Sequence, residues 1–321
     1  MVHKPAWFRD GQVFVSYAPT CGINKDGEEL YVVDPETGQR TNIIDDRMAD
    51  DIDRLLAGLP PSEEDTSRWI SRSPGEPFIA VPVYYDERPQ RAFEALLKSD
   101  EFVGWTSASL GDLIAKGWVR ASAGHGSPSA DLRTGEVPYI KVSDIRAGLV
   151  NINPSNRVSN VVAERFWGGS DSGLKAWDLI TPIRTSKNIG EFAVLMPGQE
   201  RVVLTKEVLV LRTTNDAPFD NFYLLWAMTL KVVRHQWSRI IFMQTNREDV
   251  GPRYREIRIP IAPDPDQART VSQAFRTYYT ESHKIREEFL TYLAEDDRHH
   301  VFLSSLEAAE GTEEEDSEST F

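Results

Sequence analysis

The stretch from Asp178 to Arg212, DLITPIRTSKNIGEFAVLMPGQERVVLTKEVLVLR, constrains this chain more than any other. Leu179, Ile180 and Ile183 open an apolar run, Phe192–Met196 forms a second, Pro197-Gly198 marks a turn, and Val202–Arg212 forms a third. Runs of this length, rich in Val, Ile and Thr and split by turn residues, predict strands of a sheet. The loop after the first run, Arg184-Thr185-Ser186-Lys187-Asn188, carries donors and no carboxylate. Arg and Lys suit phosphates and guanine edges, Asn suits adenine, and Ser suits either. A solvated surface hairpin has the same composition, so the loop alone leaves both readings open.

Charge distribution bears on that choice. The net charge of −14 argues against a polyanionic partner when taken globally. Residues 111–260, however, hold 20 basic and 15 acidic side chains, whereas residues 1–110 hold 11 and 20, residues 261–300 hold 5 and 8, and residues 301–321 hold none and 7. The middle is mildly cationic between acidic ends, and local field rather than net charge governs polyanion binding. With 321 residues, 40% of them apolar, the chain can build a sizeable core. No apolar run reaches the ~18 residues of a membrane span. The start, MVHKPAWFRDGQ, lacks the apolar core of a secretory signal. The lone Cys21 excludes an internal disulfide framework, fits a reducing cytoplasm, and reads as a buried small apolar residue rather than a nucleophile.

Taken in order, Val13–Tyr17 and Leu30–Val33 read as strands around a Lys25-Asp26-Gly27 turn, with a second turn at Asp34–Gly38. Residues 44–59 read as an amphipathic helix whose Ile44, Met48, Ile52, Leu55 and Leu56 share one face, its acidic residues forming a solvated face. Residues 62–76 read as a polar linker, Phe78–Tyr85 as an edge strand, and Pro89–Leu97 as a short helix. SLGDLIAKGWVR (109–120) opens the next domain, and VPYIKVSDIRAGLV (137–150) reads as a strand. Asp264-Pro265 caps a long helix in which Val271, Phe275, Tyr278, Ser282, Ile285, Phe289 and Tyr292 step by four and three, an a/d seam broken only by Ser282. That seam packs either on its own domain or on a second helix. The closing segment, EAAEGTEEEDSESTF (307–321), is acidic and reads as disordered.

Two resemblances organise these pieces. VFVSYAPTCGINKDGEELYVVDPETGQ followed by IDDRMADDI resembles the C-terminal tail of N6-adenine DNA methylases of the type I restriction-modification kind. SLGDLIAKG, GEVPYIKVSDIRAGLV, the DLITPIRTSKNIG block, VLTKEVLVLR, DNFYLLWAMTL (220–230), MQTNREDV (243–250) and REIRIPIAPDPDQ (255–267) together resemble a target recognition domain of type I restriction specificity subunits, in the family's order. The chain departs from that family where Trp177-Asp178 stands for its gly-asp, and Ile183-Arg184-Thr185 for its Ser-Arg-Ser loop. The resemblance implies an α+β chain: a methylase-tail docking unit (1–60), a linker with edge strand and short helix (61–108), a mixed-sheet recognition domain (109–262), a long spacer or docking helix (263–297) and an acidic tail (298–321). It implies duplex DNA as ligand. Lys141, Arg184, Lys187, Arg247 and Arg253 would meet phosphate or guanine, and Ser143, Ser186, Asn188, Gln244 and Asn246 would read bases. It implies, as protein partner, an N6-adenine methylase catalytic subunit, in modification or phage defence, held through residues 1–60 and through Val271, Phe275, Tyr278, Ile285, Phe289 and Tyr292. A restriction subunit, or a second copy joined through the long helix, extends that set.

Catalytic signatures are missing from the sequence. No Asn/Asp-Pro-Pro-aromatic tetrapeptide occurs, no glycine-rich cofactor loop follows a strand, and no P-loop is present. The expectation is a non-catalytic chain without cofactor or metal. A divergent nuclease or methylase acting alone, or a protein-binding adaptor of a defence complex, are the competing readings.

Overall fold

The computed structural model describes residues 11–24, 26–60, 66–71, 78–152, 156–184, 186–244 and 247–295. The chain divides into two compact units, residues 1–92 and 93–321.

In the first unit, β1 (Gln12–Ser16) is antiparallel to β4 (Ser67–Ser71), and β2 (Tyr31–Val33) to β3 (Arg40–Ile44); α1 (Arg47–Leu56) follows β3. The stretch expected as linker thus supplies β4, with Phe14 opposite Trp69 and their rings edge to face at 5.4 Å. Phe78–Tyr85 is not a strand. Its last four residues, Pro82–Tyr85, form a 3-10 turn with Pro82 in the first position, where a missing N–H costs nothing. Cys21 is exposed, contrary to the expectation of burial. Helix α2 (Arg88–Leu97) runs from the first unit into the second.

The second unit contains β5 (Thr106–Ser109), α3 (Leu110–Ala115), β6 (Val119–Ala123), β7 (Val137–Ile140), β8 (Ile145–Arg146), β9 (Leu149–Val150), β10 (Arg157–Val158), α4 (Asn160–Trp167), β11 (Leu179–Pro182), β12 (Ala193–Val194), β13 (Val203–Leu204), β14 (Val208–Thr213), α5 (Asn221–Thr229), α6 (Lys231–Ile240), β15 (Phe242–Gln244), β16 (Arg247–Asp249), β17 (Arg258–Ile261) and α7 (Pro265–Ala294). Among the described residues the main sheet runs β6-β14-β11-β12-β9-β8, and a smaller one runs β10-β7-β13. Both are mixed, because β12 pairs with β9 and β13 with β7 in parallel while their other neighbours are antiparallel. Sheets and helices segregate in the α+β manner.

Alternation along the strands builds two cores, since successive side chains point to opposite faces. Leu179, Leu209, Leu211 and Val194 pack with Leu110 and Leu113 of α3, Tyr223 of α5 and Trp237 of α6. Ile180, Val208, Val210 and Ala193 face the other way, onto Ile140, Leu204, Ile145 and Val202. Each fully buried Leu or Ile contributes roughly 1.5–3 kcal/mol. β11 is covered on both faces, so the apolar opening of the Asp178–Arg212 stretch becomes a central strand.

Local signals set the element ends. Ser109 and Asp112 form a reciprocal capping box on α3, the Asp112 N–H donating to Ser109 Oγ at 3.0 Å and the Ser109 N–H to Asp112 Oδ2 at 3.0 Å. Asp264 caps α7 by accepting from the Gln267 N–H at 2.8 Å, with Pro265 in the first turn. The run Val202–Arg212 is broken at Thr205–Glu207: β13 leaves to join β7 while β14 joins β11. Likewise 137–150 divides into β7, β8 and β9.

Trp177 sits at φ +70°, the left-handed region that glycine occupies at little cost. A glycine would take this conformation without the strain that a Cβ brings. In this chain a tryptophan takes the position, its ring packed on Phe222 at 5.4 Å and on the His283 ring at 6.0 Å. Next to it Asp178, fully buried, accepts from Arg212 Nε at 2.6 Å and from the Lys175 N–H at 2.9 Å.

The long helix α7 packs on its own domain through a face offset from the expected seam. Ala268, Ser272 and Tyr279 are buried, and Val271 and Phe275 lie against the larger core. Tyr279 donates its hydroxyl to Gly148 O at 2.9 Å, its ring stacks on Phe222 at 6.3 Å, and Arg276 pairs with Asp220. Desolvation pushes the Tyr279 hydroxyl pKa up to about 12. Tyr278, Ile285, Phe289 and Tyr292 remain exposed. The sequence seam therefore merges two faces, one spent on the domain and one turned outward.

Candidate nucleic-acid interface

Four segments meet at one end of the two sheets. The backbone N–H of Thr205 donates to Ile140 O at 2.9 Å, which sets the turn after β13 beside the end of β7. The Ile183 N–H donates to Glu207 O at 2.9 Å, which sets the loop after β11 beside that same turn. The Val250 N–H donates to Ile183 O at 3.0 Å, and Arg184 and Asp249 form an antiparallel bridge, so the β15–β16 hairpin joins the group. Asn188 Nδ2 reaches Ile145 O at 3.5 Å, which brings the 184–188 loop toward the turn that carries Lys141 and Ser143.

The anticipated residues divide by what already occupies them. Lys187 and Ser143 are exposed and make no side-chain bond among the described residues. Lys141 is half-buried; its N–H donates to Asp144 Oδ2 at 2.8 Å, which fixes the turn. Burial raises the pKa of Asp144, an effect that this N–H and the Lys141 charge oppose. Ser186 Oγ accepts from the Asn188 N–H at 3.1 Å, shaping the loop from within. Arg184 pairs with the buried carboxylate of Asp249 and keeps close to half of its side chain exposed. Arg253 is turned inward: Nε donates to Ile240 O at 3.1 Å, Nη2 to Asp249 O at 2.9 Å, and the guanidinium carbon sits 3.7 Å from the Phe242 ring centre. It buckles the base of the hairpin. Gln244 and Arg247 are register partners in that hairpin. Asn246 and Thr185 lie outside the described residues, as does the acidic tail.

Sequence reasoning missed Lys206. It is exposed on the Thr205–Glu207 turn, at the meeting point of the segments. Inside an apolar run it reads as an outward strand residue, and the only signal is the polar triplet Thr-Lys-Glu. Together Lys141, Lys187 and Lys206 give this end of the sheets three ammonium groups on three different segments. Ammonium groups are point-charge partners for phosphate, and the Ser and Asn side chains among them can address base edges.

The floor of the site is closely packed. Gly190 has φ +77°, and a Cβ there would lie 2.6 Å from Trp237 and 2.3 Å from Arg234. The loop thus ends pressed onto a fully buried indole. Behind the turn, His125 accepts from the Leu204 N–H at Nδ1 (2.9 Å) while its Nε2 lies 2.8 Å from Ser172 O, an arrangement satisfied by the neutral ring carrying its proton on Nε2. Desolvation holds its pKa below the usual histidine value.

No protein-family model matches the chain, and no curated protein matches it. Among solved structures, the type I restriction-modification S subunit from M. genitalium shares 14% identity at a TM-score of 0.38, over 61% of this chain and 43% of that one. The HsdS subunit from Thermoanaerobacter tengcongensis shares 15% at 0.35, over 61% and 45%. A chain from work on complex assembly and conformational transition of the type I R-M system shares 15% at 0.37, over 65% and 48%. The chain spans less than half the length of each of these.

Proposed function

We propose that this chain is a sequence-specific duplex-DNA recognition subunit that places a partner catalyst, an N6-adenine methylase, on its target. The observation that carries the reading is the convergence of the 141–144 turn, the 184–188 loop, the 205–207 turn and the β15–β16 hairpin at one end of the sheets. Lys141, Lys187 and Lys206 meet phosphates there. Ser143, Ser186, Asn188, Gln244 and Asn246 read bases in this reading, and Arg247 meets phosphate or guanine. Arg184 serves both as a clamp on the hairpin and as a donor on its exposed side. The order of sequence blocks shared with specificity subunits supports the same reading, as does the cationic middle of an acidic chain.

The partner is held in this reading by the outward stripe of α7: Tyr278, Ile285, Phe289 and Tyr292. Val271 and Phe275, packed on the domain, hold the helix in place instead. Chemistry belongs to the partner, and the chain needs no cofactor of its own. Selection of binding sites from a random duplex pool tests the function. A defined consensus bound in preference to random duplex is the expected result. Failure to enrich any sequence, with binding equal on all duplexes, removes the recognition role.

A further inference from the structure

Helix α1 leaves most of an apolar flank uncovered. An amphipathic helix ordinarily turns its apolar stripe to the core and its charges to water. Here the inward residue is Asp51, 1% exposed, whose carboxylate accepts from Ser16 Oγ at 2.6 Å, Thr66 Oγ1 at 2.9 Å and Ser67 Oγ at 3.0 Å. These three hydroxyls, from β1 and the start of β4, satisfy the buried charge and fix which way the helix faces. The apolar spacing predicts a core-facing side for Met48, Ile52 and Leu56. They are instead 37%, 44% and 56% exposed, at i, i+4 and i+8 along a stripe centred about 100° round the helix from Asp51. Leu59 beyond the helix and Ile43 and Ile44 before it are exposed as well. A contiguous apolar stripe held outward by a buried polar anchor is the form of a contact surface.

Charge decides what fits it. Between residues 26 and 54 the chain carries ten acidic and three basic side chains. All three basic groups are engaged locally: Arg40 over the Tyr31 ring, Arg47 with Asp45, and Arg54 Nε on Pro60 O. The carboxylates of Asp53, next to Leu56 round the helix, and of Asp50, farther round, are exposed and make no side-chain hydrogen bond or ion pair among the described residues. The rim is acidic, which repels nucleic acid and anionic lipid. A second copy seated on the stripe would set two such acidic segments against each other. The outward stripe of α7 is flanked by the exposed Glu281 and Glu288 and is mismatched in the same way.

We propose that the outer face of α1 seats a separate protein whose contact surface is apolar at its centre and rich in Lys and Arg at its rim. This does not depend on the DNA reading, because no residue of α1 belongs to the sheet-end site. The probe is a synthetic amphipathic helical peptide with leucines at i, i+3, i+4 and i+7 flanked by lysines, compared with a twin flanked by glutamates. Both are titrated into the full chain by calorimetry. Lysine-peptide binding is expected to weaken at least tenfold in Ile52→Asp, and also in the double variant Asp50→Lys with Asp53→Lys. It should weaken with added salt, and the glutamate twin should not bind. A photocrosslinker at residue 52 of the full chain, used in its native cells, should join it to a different protein that carries such a patch. Absence of binding by either peptide, equal binding of both, or crosslinks only between copies of this chain each overturns the proposal. Unchanged thermal unfolding of the variants separates a weakened interface from a failure to fold.

Discussion

Arg184 and Asp249 face each other across an antiparallel bridge, and the guanidinium of one closes on the buried carboxylate of the other. The pair ties the loop after β11 to the hairpin strand β16. Asp249 also accepts from the Gly251 N–H at 2.5 Å, so it holds the start of the following turn. Removing the cation by Arg184→Ala leaves a buried carboxylate short of its partner, with an expected stability loss of about 2 kcal/mol. Asp249→Asn, which removes the orphan charge, restores part of that loss in the double variant. Urea unfolding of the single and double variants measures the coupling. Strict additivity would mean that the two residues do not act as a unit.

The three lysines at the sheet end make a quantitative statement about DNA. Each ammonium–phosphate pairing taken away lowers the slope of log affinity against log salt by about 0.9. Lys141→Ala, Lys187→Ala and Lys206→Ala combined are expected to flatten that slope by about 2 to 3 units and to weaken all duplexes alike. Fluorescence anisotropy over a salt series measures this. A slope that does not change removes these residues from the interface.

His125 is held neutral, so its contribution depends on pH with a definite sign. Its folded pKa lies below its unfolded value near 6.5. Above that value neither state carries the proton and the contribution is complete. As pH falls, the unfolded chain takes a proton that the folded chain resists, and stability declines until the folded pKa is passed. Protonation of Nδ1 also forfeits the bond from the Leu204 N–H. Melting temperatures are therefore expected to fall between about pH 7 and pH 5.5, and less steeply in His125→Gln. Parallel curves for the two proteins would refute the assignment.

Trp177 predicts an unusual ranking of substitutions. In ordinary elements alanine is more stable than glycine. At φ +70° the order reverses, because alanine keeps the backbone strain that glycine relieves. Trp177→Gly is expected to exceed Trp177→Ala in stability by about 1 kcal/mol. Both should lie below the native chain by about 2 kcal/mol or more, because the ring no longer packs on Phe222. Chemical denaturation of the three proteins gives the ranking, and alanine above glycine would contradict it.

Much of the second unit could be read in the sequence because its signals are local. The Asp264-Pro265 cap and the Pro197-Gly198 turn name their elements without reference to anything distant. Partner choice was not legible in the same way. The Val202–Arg212 run has strand chemistry throughout, and only β7 and β11 decide that it splits between two sheets. The four-three spacing along α7 fits both the buried Phe275 and the exposed Ile285, because a period marks a face without naming what covers it. The orientation of α1 was opaque for a related reason. Its apolar stripe argued for burial, and the deciding group is Asp51, whose hydroxyl partners lie 15 to 35 residues away.

Tyr279 has a consequence for the far end of α7. With its hydroxyl on Gly148 and its ring on Phe222, it indexes the helix against the sheet like a key in a shaft. Each residue of an α-helix rotates the succeeding residues by about 100° and advances them by about 1.5 Å. Two residues inserted after Arg286 would swing Phe289 and Tyr292 through roughly 200°, to the far side, while seven would return them within about 20° of where they began. The azimuth of that end, more than its reach, determines which bodies it can meet.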